Sequence, residues 1–156
     1  MDNERLKIGK KRALHLLERK DYSKRELVER LQKDGYETQL IEEIIAYVDS
    51  FHYLDDVRVA GVYIRVRKHQ KSKRELEYKL KQRGISDEDI ALAMEENYET
   101  EDETSQEEVV IKKYLQKYHL EENEIETLSY EEKQKIATKL YRKGFASKEI
   151  RKQLQM

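Results

Sequence analysis

The feature that most constrains this chain is a frame of thirteen residues that occurs twice, as SKRELVERLQKDG from Ser23 to Gly35 and as SKRELEYKLKQRG from Ser72 to Gly84. The first five residues are identical, Leu27 and Leu31 match Leu76 and Leu80, and both copies close on glycine. A worn third copy keeps Ile136, Leu140 and Gly144 at the same spacing, with its serine one helical turn upstream at Ser129. The three glycines lie 49 and 60 residues apart. Self-similarity at that period marks repeated supersecondary units that lean on their neighbours for a core.

Each frame is a helix written from start to stop. Ser23 with Glu26, Ser72 with Glu75 and Ser129 with Glu132 form S-x-x-E capping boxes, in which hydroxyl and carboxylate satisfy orphan backbone donors. Apolar residues at i and i+4 give a narrow stripe, and the glycine suits the left-handed position that ends a helix. Behind each glycine stands an apolar anchor, Tyr36, Ile85 or Phe145, then an expected N-cap at Thr38, Asp87 or Ser147. A second stripe follows as Ile41 and Ile45, Ile90 and Met94, or Ile150 and Leu154. The unit is therefore at least helix, turn, helix.

A further helix precedes each frame. Residues 4–19 place Leu6, Ala13, Leu14, Leu16 and Leu17 at helical spacing, and residues 107–120 place Val110, Tyr114 and Tyr118 at i, i+4 and i+8 beside Ile111 and Leu115. The looser ENEIETL separates that second segment from Ser129. The segment DDVRVAGVYIRVRKHQ has β-branched residues alternating with arginine, which locally suits a strand. It fills the slot of a clear helix in the first unit and opens with Asp55 or Asp56 as a good N-cap, so a helix is expected. The resulting fold is all-α: an elongated array of three tandem three-helix repeats over 1–51, 52–99 and 100–156, the last led by an acidic linker drawn from NYETEDET.

Composition narrows the chemistry. The absence of cysteine excludes disulfides and thiol catalysis, and the absence of proline with abundant Lys, Glu, Leu and Gln favours helix throughout. No apolar run is long enough to span a bilayer and no secretory signal is present, so a soluble, cytoplasmic monomer is expected, with no membrane partner. The 42% of charged residues could also indicate disorder, but the regular stripes argue for small bundles with thin cores.

Near-neutrality hides segregated charge. Val57–Gly84 holds ten basic residues and two acidic, whereas Ile85–Glu108 holds eleven acidic and none basic. Residues 109–156 carry eleven basic and seven acidic side chains, and residues 1–56 carry eleven and thirteen. Such blocks suit an extended partner of complementary charge.

A capped helix, a glycine turn and a second helix also describe helix-turn-helix DNA binding, whose second helix enters the major groove and must tolerate phosphates. TQLIEEIIAYVDS and DEDIALAMEEN are acidic there, and only SKEIRKQLQM is basic. Packing helices explain the pattern better. Catalysis finds no support: His15, His52, His69 and His119 are scattered, and no metal, phosphate-loop or nucleophile motif occurs, so no cofactor, metal or catalytic residue is expected. Asp55 and Asp56 could be cation ligands or acid–base groups, but an N-cap with a first-turn carboxylate is the commoner explanation. The eleven tyrosines could suggest stacking, but at helical spacing most read as core-rim residues.

The run FHYLDDVRVA from Phe51 to Ala60, the Ser72–Gly84 frame and the Gly84–Ile85 pair together resemble the RecX regulatory proteins of bacteria. Tyr53, Leu54, Asp55 and Asp56 with Arg58 are the most specific part, read as structural capping. Lys71 and Ser72 stand where many relatives carry a loop glycine, and the third repeat matches least. The resemblance implies a modulator that binds the RecA recombinase filament and restrains ATP hydrolysis, strand exchange and co-protease activity, with no catalytic site. Arg65, Arg67, Lys68, Lys71, Lys73 and Arg74 are the expected contact face, toward acidic surface or DNA phosphates, while the acidic block faces outward or meets basic loops. The same face would also serve a nonspecific accessory protein that binds single- or double-stranded DNA without a recombinase. A purely structural helical adaptor is the third reading.

Overall fold

The structure is a computed structural model, and it describes residues 2–98 and 105–156. Within these the chain is helical: α1 (Asp2–Arg19), α2 (Lys24–Lys33), α3 (Thr38–Ser50), α4 (Asp56–Arg67), α5 (Lys73–Gln82), α6 (Asp87–Asn97), α7 (Gln106–Lys117), α8 (Glu122–Glu126), α9 (Tyr130–Arg142) and α10 (Ser147–Leu154). The expected acidic linker falls largely on 99–104, outside the described residues. The chain forms two compact units, one of residues up to Val62 with Leu80–Ala93, the other of Tyr63–Lys79 with residues from Met94 onward.

In the first unit, α1, α2 and α3 close on Ala13, Leu16, Leu27, Leu31, Leu40, Ile41, Ile44, Ile45 and Val48. The frame leucines are fully buried, as the i, i+4 stripe requires. The second unit carries its own core of Val110, Ile111, Leu115, Ile125, Leu140, Phe145, Ile150 and Leu154. The middle helices lend residues to both: Val59, Ala60, Leu80, Ile85 and Ile90 are buried in the first unit, and Ile64, Leu76 and Met94 in the second. The segment with strand-like alternation is helix α4, its Asp55 accepting the Arg58 N–H at 3.1 Å as an N-cap.

Local physics places the frame helices well. Ser23 and Glu26 form a reciprocal capping box, and the Glu75 and Glu132 amides donate to the Ser72 and Ser129 hydroxyl oxygens. Gly35, Gly84 and Gly144 take φ of +93°, +83° and +92°, the left-handed turn that ends each frame.

Two expectations need correction. The second helices cap one residue earlier than Thr38, Asp87 and Ser147. Glu37 and Ala146 hold the N-cap positions of α3 and α10 without a side-chain bond, and Ser86 caps α6 by accepting the Asp89 N–H. ENEIETL is not loose: Ile125 is buried, and that anchor stabilises the short helix α8. Tyr22, Tyr36, Tyr47 and Tyr114 pack on the cores and Tyr98 is buried, whereas Tyr53, Tyr78, Tyr118, Tyr130 and Tyr141 are exposed.

Candidate partner-binding surface

The frame does more than start and stop a helix. Ser23 is fully buried, and its hydroxyl, while accepting the Glu26 N–H, donates to the carbonyl of Arg83 at 2.5 Å. Ser72 repeats this one unit later: also fully buried, it accepts the Glu75 N–H and donates to the Lys143 carbonyl at 2.8 Å. Both acceptors immediately precede a frame glycine, Gly84 or Gly144. The serine of one frame is thus pinned to the helix end of the next, and the helix-end carbonyl that it meets gains a partner away from water.

Glycine makes room for this joint. A Cβ at Gly84 would stand 2.6 Å from Cβ of Arg25, and one at Gly144 would stand 2.8 Å from Oγ of Ser72 and 3.2 Å from Cβ of Arg74. Gly35 faces nothing within 4 Å. Arg25 and Arg74 hold matching frame positions, and Arg25 also donates to the Gln82 carbonyl at 2.9 Å. The first joint has an ionic brace, Arg83 meeting the Glu26 carboxylate at 2.9 and 3.1 Å. Burial works to raise the Glu26 carboxyl; the Arg83 guanidinium and the Ser23 N–H outweigh it and leave the group below its ordinary value.

The family-like run serves the same unit. Asp55 caps its own helix, whereas Asp56 reaches the first turn of α2 and accepts the Lys24 N–H at 2.9 Å. Burial comes first among the causes that raise the Asp56 carboxyl, with Asp89 and Asp55 adding to it. Leu54 packs against the first core, Tyr53 stacks on Phe51 with centroids 5.6 Å apart, and Arg58 lies 3.9 Å from Asp21.

The cationic stretch from Arg65 to Arg74 covers the end of α4, a short turn and the start of α5, and its members divide by environment. Arg65 donates to Oδ1 of Asn97 at 2.6 Å and Lys68 to the Asn97 carbonyl at 3.0 Å. Helix α6 has Asp87, Glu88 and Asp89 in its first turn and no basic residue in its last, so these two cations complement its C-terminal dipole from outside. The Lys68 carbonyl accepts from the buried Gln106 amide at 3.1 Å. Lys71 lies 3.7 Å from Glu75, Lys73 sits 5.8 Å over the Tyr98 ring, and Arg74 stacks its stem beside Gly144. Arg67 is exposed and has no ion pair among the described residues. Arg67 therefore points the freest charge outward, with Lys71 and Lys73 beside it only loosely paired, from a turn pinned by Asn97, Gln106 and the Ser72 joint.

The acidic block divides: Asp87, Glu88, Glu95 and Glu96 are exposed, whereas its end is engaged within the chain. Glu107 accepts the Ala146 N–H at 2.8 Å, and Glu108 pairs with Lys112 at 3.1 Å and Lys152 at 3.9 Å. Among the described residues no three potential metal ligands converge, and no helix is long and apolar enough to cross a membrane. The joints, the Asn97 anchor and the Asp56 bridge are absent from the sequence reading. The identity of the two SKREL runs is the signal that could have exposed the first.

Comparison with known proteins agrees with this architecture. Residues 10–47 match the family model described as RecX, first three-helix domain, and residues 55–94 match RecX, second three-helix domain. The chain is 29% identical over 136 residues to a regulatory protein RecX of Clostridium perfringens, covering 87% of this chain and 62% of that one. It is 34% identical over 89 residues to a regulatory protein RecX of Vibrio campbellii, covering 56% and 57%. It thus spans somewhat less than two thirds of the length of these curated relatives. The crystal structure of RecX from Lactobacillus salivarius superposes with a TM-score of 0.78 at 21% identity, covering 98% of this chain and 96% of that one, a likeness of fold.

Proposed function

Because the chain belongs to the RecX family of regulatory proteins, we propose that it binds the RecA recombinase or its nucleoprotein filament and restrains ATP hydrolysis, strand exchange and co-protease activity. RecX is a family of regulators rather than of enzymes, and the chain would act by occupying surface, not by chemistry. We further propose that 1–51, 52–99 and 100–156 are its repeat units; the matched segments 10–47 and 55–94 fall within the first two.

The observation that carries this reading is the pinned cationic turn. Long basic side chains on a mobile loop lose much of their binding energy to ordering; here the backbone is already fixed by the Ser72–Lys143 and Gln106–Lys68 bonds. Arg67, Lys71 and Lys73 then meet an acidic groove or DNA phosphates with little reorganisation, and the charge block speeds encounter and sets register. Arg65, Lys68 and Arg74 support the face as well as belonging to it.

Single-strand-dependent ATP hydrolysis by the cognate RecA, with the protein titrated from well below stoichiometric amounts, tests the proposal. Loss of hydrolysis supports it. Unchanged hydrolysis alongside DNA binding in the same buffer would replace it with the accessory DNA-binding reading.

A further inference from the structure

The strongest surface feature outside the cationic turn lies on the last two helices. Tyr130 and Tyr141 are 69% and 57% exposed. They stand eleven residues apart on α9, three full turns, so both rings project from one face about 16 Å apart. With Gln134, Ser147 and Arg151 they line an open groove of about 500 Å³ between α9 and α10. The Tyr130 hydroxyl accepts from the Gln134 amide at 2.7 Å, which orients the ring.

The charge around this groove is predominantly positive. Residues 130–156 carry eight lysines and arginines against three glutamates. Arg151 lines the groove, Arg142 follows Tyr141, and Lys148 sits in the first turn of α10; all three are exposed. Helix α10 is also the one glycine-turn helix of the three whose sequence is basic. The two rings are joined along the groove by Ala137 and Met156, and a contiguous exposed apolar face marks an interaction site. Aromatic faces among cations fit a ligand with both π-surfaces and phosphates, and single-stranded nucleic acid has both at a spacing of a few ångströms per unit. A duplex hides its base faces, and an acidic peptide offers charge without rings to stack.

We propose that the α9–α10 groove is a binding site for single-stranded nucleic acid, with Tyr130 and Tyr141 as stacking platforms and Arg142, Lys148 and Arg151 as phosphate contacts. The site is separate from the Arg65–Arg74 turn and needs no recombinase, so it stands or falls apart from the proposed function.

Fluorescence anisotropy with a labelled twenty-nucleotide oligo-dT and the full chain, without RecA, tests it. Tyr130→Ala with Tyr141→Ala should weaken binding at least about tenfold, since each stacked base contributes measurably. Tyr130→Phe with Tyr141→Phe should keep it, and duplex affinity should change less than twofold with either pair. With three phosphate contacts, log affinity should fall with log salt at a slope of about −2. Irradiating the unmodified protein with a bromodeoxyuridine oligonucleotide should place adducts on Tyr130 or Tyr141, a readout independent of any variant. Absence of oligo-dT binding at low salt, full affinity in the alanine pair, adducts only elsewhere, or equal binding of a labelled oligoglutamate would each overturn the assignment.

Discussion

Replacing the frame glycines by alanine separates the turn from the joint, because the three sites share one backbone conformation and differ in what lies above it. Gly35 has φ +93° with nothing within 4 Å, so Gly35→Ala meets only the left-handed penalty, about 1–2 kcal/mol. Gly144 has nearly the same φ, +92°, but its new methyl would stand 2.8 Å from the Ser72 hydroxyl oxygen. That hydroxyl must leave the Lys143 carbonyl, and a buried group stripped of its partner costs about 1–3 kcal/mol more. Gly144→Ala should therefore cost about 2–5 kcal/mol in total. Urea unfolding followed by circular dichroism gives the totals, and hydrogen exchange of the amides from Ser72 to Leu76 places the damage. Equal losses for Gly35→Ala and Gly144→Ala, with exchange at 72–76 unchanged, would refute the idea that the frame glycine is a docking seat.

The serines should rank accordingly: Ser23→Ala and Ser72→Ala lose a cap and a buried bond, about 2–3 kcal/mol each, whereas exposed Ser129 loses only a cap, about 1 kcal/mol, in the same urea assay. His52 and His119 close α3 and α7 with φ of 59° and 61°, so His52→Gly or His119→Gly should raise stability by up to about 1 kcal/mol, read as a higher melting temperature. Glu26, whose carboxyl is held below its ordinary 4.5, adds stability that is fully present above that value and lost as pH falls through the lower folded value. Between pH 5 and 3 the parent protein should therefore lose stability more steeply than Glu26→Gln, as a urea series at stepped pH would record.

The local part of the fold was readable because capping boxes, i, i+4 stripes and glycine stops act within a few residues. That is why α2, α5 and α9 stand where SKREL and its worn copy place them. The second helices shifted by one residue because Glu37 and Ala146 hold cap positions by backbone geometry alone, which no side chain advertises. The joints were invisible for a related reason. Their acceptors, the carbonyls of Arg83 and Lys143, belong to backbone, and a serine sufficient for its own cap gave no cause to seek a second partner. The cationic stretch was legible as charge but not as architecture: Arg65 and Lys68 look free in sequence, yet meet Asn97 at a helix end whose partial charge has no letter.

The most direct test of the account is cosedimentation of this protein with RecA filaments on single-stranded DNA saturated with recombinase, which leaves no bare strand for the α9–α10 groove, comparing the parent with a variant combining Arg67→Glu, Lys71→Glu and Lys73→Glu. These substitutions leave Ser72, Arg74, Arg65 and Lys68 in place, so the joint and the Asn97 anchor persist and circular dichroism should be unchanged. The account predicts that the parent sediments with the filament and the reversed variant stays in the supernatant. A folded variant that sediments as the parent does would contradict it.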